Sequence, residues 1–346
     1  MRKSLIISAL IAFLAFIHPV PLGGTSAALL PAQSGVAAEQ TTWSLYLPAV
    51  GHQRGGLVVD TANRQQVIDF YRQYHLSSEN VSADWTGAHA SCDPGSTSTA
   101  FRNASLTQIN YYRAMAGVPA DIVFSEEWNR KAQQAALMMS ANDELDHYPD
   151  QSWTCYSEEG AEAAGSSNLS IGNSGIYAIR SQFRDAGDNN YRAGHRWWIL
   201  FPVTQVMGTG DIPSTGDYRA SNALWVVDRD HLADPHPQLN REYVAWPPPG
   251  YVPYPVVYPR WSFVLYRSIA DFSSASVEMF ANGTQVPIIV EYNLGHLVWR
   301  PESLSDRSPW PVPAGDTPYR ITIRNVLFNG EPRDFTYEVI IFDPNT

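Results

Sequence analysis

Residues 104–117, ASLTQINYYRAMAG, and 125–139, SEEWNRKAQQAALMM, are the stretches whose reading decides the fold. In the first, Leu106, Ile109, Tyr112 and Ala116 recur at helical spacing, and Gly117 followed by Pro119 supplies a stop. In the second, Trp128, Ala132, Ala135 and Met139 share a face, Ser125 is placed to cap, and Glu126 and Glu127 suit the first turn. A third helix is expected over 174–185, with Ile176, Ile179 and Phe183 on one side and Gly187 beyond its end. The polar stretch 140–173 reads as loop. Strand-like runs follow at 197–201, 205–208 and 223–227. Helices followed by strands within one unit argue an α+β sandwich over a wound parallel sheet.

Outward from this centre, the chain divides into five parts. Residues 1–28 read as a signal peptide: Arg2 and Lys3 precede an apolar run from Leu5 to Ile17, and small residues follow from Gly23. That run is shorter than the roughly 20 residues of a spanning helix, although an uncleaved anchor is the alternative. Residues 29–99 form an extension with a short helix over 63–75 and a strand-like run near 42–50. The helical and strand-like region occupies 100–232. Residues 233–259 are rich in proline, including Pro247, Pro248 and Pro249, and read as a semi-rigid linker poor in sheet donors. Residues 260–346 alternate in short strands with turns at Asn282-Gly283 and Asn329-Gly330, which predicts an all-β sandwich of immunoglobulin-like size.

Composition narrows the function classes. Hydrophobic residues make up 44% of the 346, enough for a large core, and the formal charge is −11. Beyond the leader Lys131 is the one lysine. Such an acidic chain is ill suited to counterion-release binding of nucleic acid or to anionic membrane surfaces. In an exported chain Cys92 and Cys155 are expected to form a disulfide, with two free thiols as the alternative. No HExxH, GxSxG or P-loop pattern occurs, and Gly208-Thr-Gly210 reads as a turn. Asp185 to Asn190 lacks the glycine and glutamate of a calcium loop. The acids and histidines from Asp228 to His236 read as a solvated boundary.

Taken together, Ile109-Asn-Tyr-Tyr-Arg-Ala-Met-Ala-Gly117, the alanine-rich helix to Met139, His147, Asn168-Leu-Ser, Gly194-His-Arg and Met207-Gly-Thr-Gly resemble a CAP domain. This is the superfamily of cysteine-rich secretory proteins, antigen 5 and pathogenesis-related 1 proteins, whose unit is also called the SCP domain. The resemblance runs from about 103 to 228 and implies an α-β-α sandwich with a cavity where two histidines meet two acids. Carried over, His147 and His195 take the histidine positions, which suits a divalent metal such as zinc. Ser167 stands where the family places an acid before Asn168. Asp185 is the nearest candidate for the second acid, and Glu162, Glu158 or Glu159 could reach in from the preceding segment.

The resemblance implies a secreted, non-catalytic binding module whose ligand is a lipid, a metal or a protein. A metal- or histidine-dependent peptidase and a structural surface protein with a degenerate site are the alternatives. No membrane span is expected after removal of the leader.

Overall fold

The computed structural model describes residues 56–266 and 270–346. The expected leader and the run at 42–50 lie outside them. The first helix, α1 (Arg64–Phe70), is capped by Asn63, whose side chain accepts from the Gln66 amide, and continues as a π-helical stretch to Leu76. Helix α2 (Thr99–Ala116) starts seven residues before Leu106, the first of its apolar stripe, because Ser98 caps it, and it ends at Gly117 in the left-handed region (φ 77°). Strand β1 (Val123–Phe124) then leads to α3 (Glu126–Asn142), capped as expected by Ser125.

The stretch read as loop contains two elements, α4 (Glu158–Ala164) and β2 (Ser167–Ile171). Helix α5 (Gly175–Arg184) follows. The run at 197–201, expected as a strand, is instead largely a short helix, α6 (Gly194–Ile199). Its Trp-Trp-Ile-Leu-Phe sequence is apolar throughout, and such a short run has no period that separates strand from helix. Strands β3 (Val206–Ile212) and β4 (Ser221–Trp225) complete a sheet of order β1-β3-β4-β2.

Helices cover this sheet on both faces. On one, Ala132, Ala135, Ala136 and Met139 of α3 pack with Leu169, Ile212, Ala223 and Trp225. On the other, Ile109 and Tyr112 of α2 and Ile179 and Phe183 of α5 meet Met207 and Leu224. Gly208 and Gly210 lie inside β3, which corrects the reading of Gly208-Thr-Gly210 as a turn. A Cβ on Gly208 would stand 2.5 Å from Trp128 Cβ, and one on Gly210 would stand 2.1 Å from the Ala132 carbonyl carbon. The glycines are there because α3 lies directly on β3.

The INYYR stretch is equally structural. Asn110 exchanges two hydrogen bonds with the Ile122 backbone, at 3.0 and 3.1 Å. Arg113 is fully buried and donates to the carbonyls of Pro119, Ile199, Phe201 and Thr204. It thereby ties α2 to the exit of α6.

The proline-rich segment, expected to contribute no strand, supplies β5 (Val244–Trp246) and β6 (Gly250–Pro253). Both are edge strands, which need backbone donors on one side only, so neighbouring prolines are tolerated. The remaining strands are β7 (Trp261–Val264), β8 (Ala270–Asp271), β9 (Ser276–Ala281), β10 (Thr284–Gln285), β11 (Ile288–Tyr292), β12 (Leu297–Pro301), β13 (Thr317–Phe328) and β14 (Glu331–Phe342). They form one sheet of order β10-β9-β13-β14-β6, with β8 beside β13, and a second of order β11-β12-β7-β5. Phe263 of β7 packs on Phe335 and Tyr337 of β14, so the sheets face each other. The β6–β14 pair runs parallel, against the antiparallel pairing of the others.

Candidate functional site

The expected disulfide is present: Cys92 and Cys155 are bonded and span 63 residues. It fastens the 86–98 loop to the segment before α4.

Helix α5 ends in a left-handed residue, Asp185 (φ 57°), a conformation that turns the chain sharply toward α6. The buried Asp185 carboxylate accepts from His195 Nδ1 at 2.6 Å through Oδ1 and from the Arg196 amide at 2.9 Å through Oδ2. Both oxygens are therefore committed. Since a carboxylate only accepts, His195 carries its proton on Nδ1, and in the neutral form Nε2 bears the lone pair. The His195 side chain is 22% exposed. Burial opposes its protonation, but the charge and hydrogen bond of Asp185 outweigh burial and raise its pKa above the ordinary histidine value.

Two buried arginines hold this corner. Arg196 donates to the carbonyls of Phe183, Arg184 and Arg260 and to Ser262 Oγ. Burial, with Arg260 nearby, lowers its pKa to about 10, against the pull of Asp185. Arg260 precedes β7 and is 3% exposed in its side chain. It donates to the carbonyls of Asp185 and Gly187 and pairs with Glu291 at 2.6 Å. The C-terminal strands thus fix the turn that carries the acid.

His147, exposed in the segment between α3 and α4, is held by a different contact. Its Nδ1 donates to the Ala164 carbonyl at 2.9 Å, which again leaves Nε2 with the lone pair. Four residues on, Asn168 Nδ2 donates to the His195 carbonyl at 3.1 Å. Both histidines are anchored to the short run from Ala164 to Asn168. Within it, Ser167 is buried, and its Oγ has no hydrogen-bond partner among the described residues.

The other expected ligand is placed elsewhere. Glu162 pairs with Lys131 at 2.9 Å and Glu159 with Arg130 at 2.7 Å, so these two acids of α4 serve the cations of α3. Among the described residues no three His, Cys, Asp or Glu side chains group as a metal-holding set. Of the expected set, His147 and His195 each keep an Nε2 lone pair, while the two acids, Asp185 and Glu162, are engaged. The Asp228 to His236 cluster is structural: Asp228 accepts from the Gln205 and Val206 amides at 2.9 Å and from His231. The arginine contacts were not legible beforehand, because no local pattern links Arg260 to a turn so distant in sequence.

A three-layer α-β-α unit with a histidine–aspartate pair at the end of its third long helix defines a class of domain. Residues 106–228 match the family model described as CAP, the cysteine-rich secretory protein family. Comparison with curated proteins finds no match. Among the described residues no helix is long and apolar enough to cross a membrane.

Proposed function

We propose that the chain is an extracellular, non-catalytic binding module whose two-histidine site recognises a polypeptide segment. The observation that carries this reading is the Ser167 hydroxyl, buried without a partner where the CAP resemblance implies an acid. Hydrolysis would need a carboxylate base beside an activated water, or a nucleophile hydrogen-bonded to a base. Ser167 bonds to neither histidine, and Asp185 spends both oxygens on His195 and Arg196. What remains is a pair of imidazoles of fixed tautomer, suited to accepting directional hydrogen bonds from peptide amides. Tyr148, which adjoins His147, is 67% exposed, and tyrosine is a residue type enriched in protein recognition. In this reading a leader exports the protein, the disulfide suits the oxidising exterior, and the C-terminal strands form an immunoglobulin-like partner that braces the site.

The test is selection of peptides from a random display library on the protein, followed by fluorescence anisotropy against a His147→Ala/His195→Ala variant that keeps its melting temperature. Peptides that lose at least about ten-fold in affinity on the variant, and that stay intact on long incubation, are expected. Selected peptides that bind both proteins equally, or are cleaved by the wild type alone, overturn the reading. A zinc titration separates the metal alternative. Weak and equal binding by both proteins is expected, and one-to-one binding lost in the variant would replace peptide recognition by a metal site.

A further inference from the structure

A cleft of about 350 Å³ opens where the amino-terminal ends of α2 and α3 meet the edge of β3, away from the two-histidine site. Ser96, Ser98, Thr99, Arg102, Asn129 and Thr209 lie in its wall. The cleft exists because β1 is short. It pairs with β3 only at Val206 and Met207, so from Thr209 onward the edge of β3 has no neighbouring strand.

Side chains of α3 take the place of that strand. Gln133 does so completely: its Oε1 accepts from the Asp211 amide at 2.9 Å and its Nε2 donates to the Asp211 carbonyl at 2.8 Å. Asn129, one turn earlier and one carbon shorter, uses only one end. Its Oδ1 accepts from the Thr209 amide at 2.8 Å. Because a backbone N–H can only donate, this bond fixes which end of the amide is oxygen. Asn129 Nδ2 is then a donor with no partner among the described residues, on a residue 5% exposed. A buried donor left without an acceptor is destabilising, and an acceptor delivered by a ligand would remove that cost.

The surroundings favour negative charge. The Arg102 guanidinium uses one nitrogen on the Thr97 carbonyl and stands 3.9 Å from Glu126, too far for a tight pair. The first turns of α2, 18 residues long, and α3, 17 residues long, border the cleft with the positive ends of their dipoles. Hydroxyls of Ser96, Ser98 and Thr99 and the exposed Glu126 carboxylate complete a wall without aromatic side chains, which does not suit a lipid.

We propose that this cleft is a second binding site, for a hydroxylated carboxylate of monosaccharide size, the chemical class of the uronic acids. The carboxylate meets Asn129 Nδ2 and Arg102, and the ring hydroxyls meet the serine, threonine and glutamate groups. Its size lies within the usual span of small-molecule sites.

The test is titration of the full chain with D-glucuronate, D-glucose and inorganic phosphate, read by calorimetry and by the NMR signal of the Asn129 side-chain amide. Saturable glucuronate binding that moves this signal is expected, with glucose at least about ten-fold weaker for want of the carboxylate. Asn129→Asp keeps the acceptor for Thr209 and replaces the unpartnered donor by an anionic oxygen. At an unchanged melting temperature it should weaken glucuronate at least about ten-fold. Should that variant unfold, Arg102→Gln and the amide signal of the wild type decide the matter. Glucose binding as tightly as glucuronate, phosphate binding more tightly, an unmoved Asn129 signal, or no saturation each overturns the proposal.

Discussion

Arg260, at the head of β7, donates hydrogen bonds to the main-chain carbonyls of Asp185 and Gly187, 75 and 73 residues earlier in the chain. Asp185 in turn accepts from His195 Nδ1 at 2.6 Å. The C-terminal strands and the imidazole of the CAP domain are therefore two bonds apart, and the β layers belong to the site as much as α5 and α6 do.

Replacing Arg260 by Met is expected to lower stability by about 3–5 kcal/mol, because the half-buried Glu291 loses a charge partner and two buried carbonyl contacts lose their donor. Denaturant unfolding measures this. A loss under about 1 kcal/mol would mean that Arg300, which also contacts Glu291 at 2.9 Å, carries the pair by itself.

Asp185→Asn keeps a side chain able to accept from the Arg196 amide but removes the negative charge beside His195. Stability should fall by about 1.5–3 kcal/mol, the range for hydrogen bonds to charged groups. The His195 pKa should fall toward or below its ordinary value. Chemical denaturation and histidine NMR read the two effects separately.

The histidines give stability two opposing pH dependences. Burial, reinforced by Arg180, holds His75 down at about 2, whereas its unfolded value is about 6.5. Its contribution is present above that unfolded value and is lost as pH falls below it. His195 is raised, so its contribution is present below the unfolded value and is lost as pH rises through the folded one. His75→Phe should flatten the acid arm of a melting profile, and His195→Gln the arm above the ordinary histidine value. A His195→Gln profile parallel to that of wild type would contradict the second assignment.

Gly210→Ala tests the approach of α3 to β3. The added carbon would fall 2.1 Å from α3 backbone, so the helix must move. A loss of about 1–3 kcal/mol or more is expected from overpacking, against little change for Gly315→Ala, since a Cβ there meets nothing within 4 Å. Thermal unfolding of both variants makes the comparison.

Reduction of Cys92–Cys155 releases a loop of 63 residues in the unfolded chain. The chain-entropy relation gives about 4 kcal/mol for such a span. Unfolding in denaturant with and without a thiol reductant should show a lower midpoint in the reduced protein. An unchanged midpoint would mean that the 86–98 loop is held by its other bonds, such as that of Trp85 Nε1 to the Pro94 carbonyl at 2.8 Å.

Much of the CAP layer was legible because its helices are long and their stripes regular: the Ser125 cap and the Gly117 stop stand where the pattern put them. Five short elements, α4, β2, α6, β5 and β6, were not. Strand β2 is buried along most of its length yet reads Ser-Asn-Leu-Ser-Ile, since Asn168 spends its side chain on His195. Helix α6 is apolar throughout, and β5 and β6 hide among prolines because each lies at a sheet edge. In the site, His195 and Asp185 were found through the CAP resemblance and are joined. Glu162, chosen for its nearness in sequence to Ser167, is drawn to Lys131 by charge. Arg196 was read only as part of the Gly194-His-Arg motif and Arg260 not at all, because most of their partners are main-chain carbonyls, which leave no mark in a sequence.

The central claim is that His195 is held in one tautomer by Asp185 as a recognition group. Long-range ¹H–¹⁵N NMR of the histidine rings across a pH titration tests it most directly. The account predicts a neutral His195 protonated on Nδ1, with a pKa above the ordinary value that drops in Asp185→Asn. A neutral ring protonated on Nε2, or a pKa unmoved by that substitution, would contradict it.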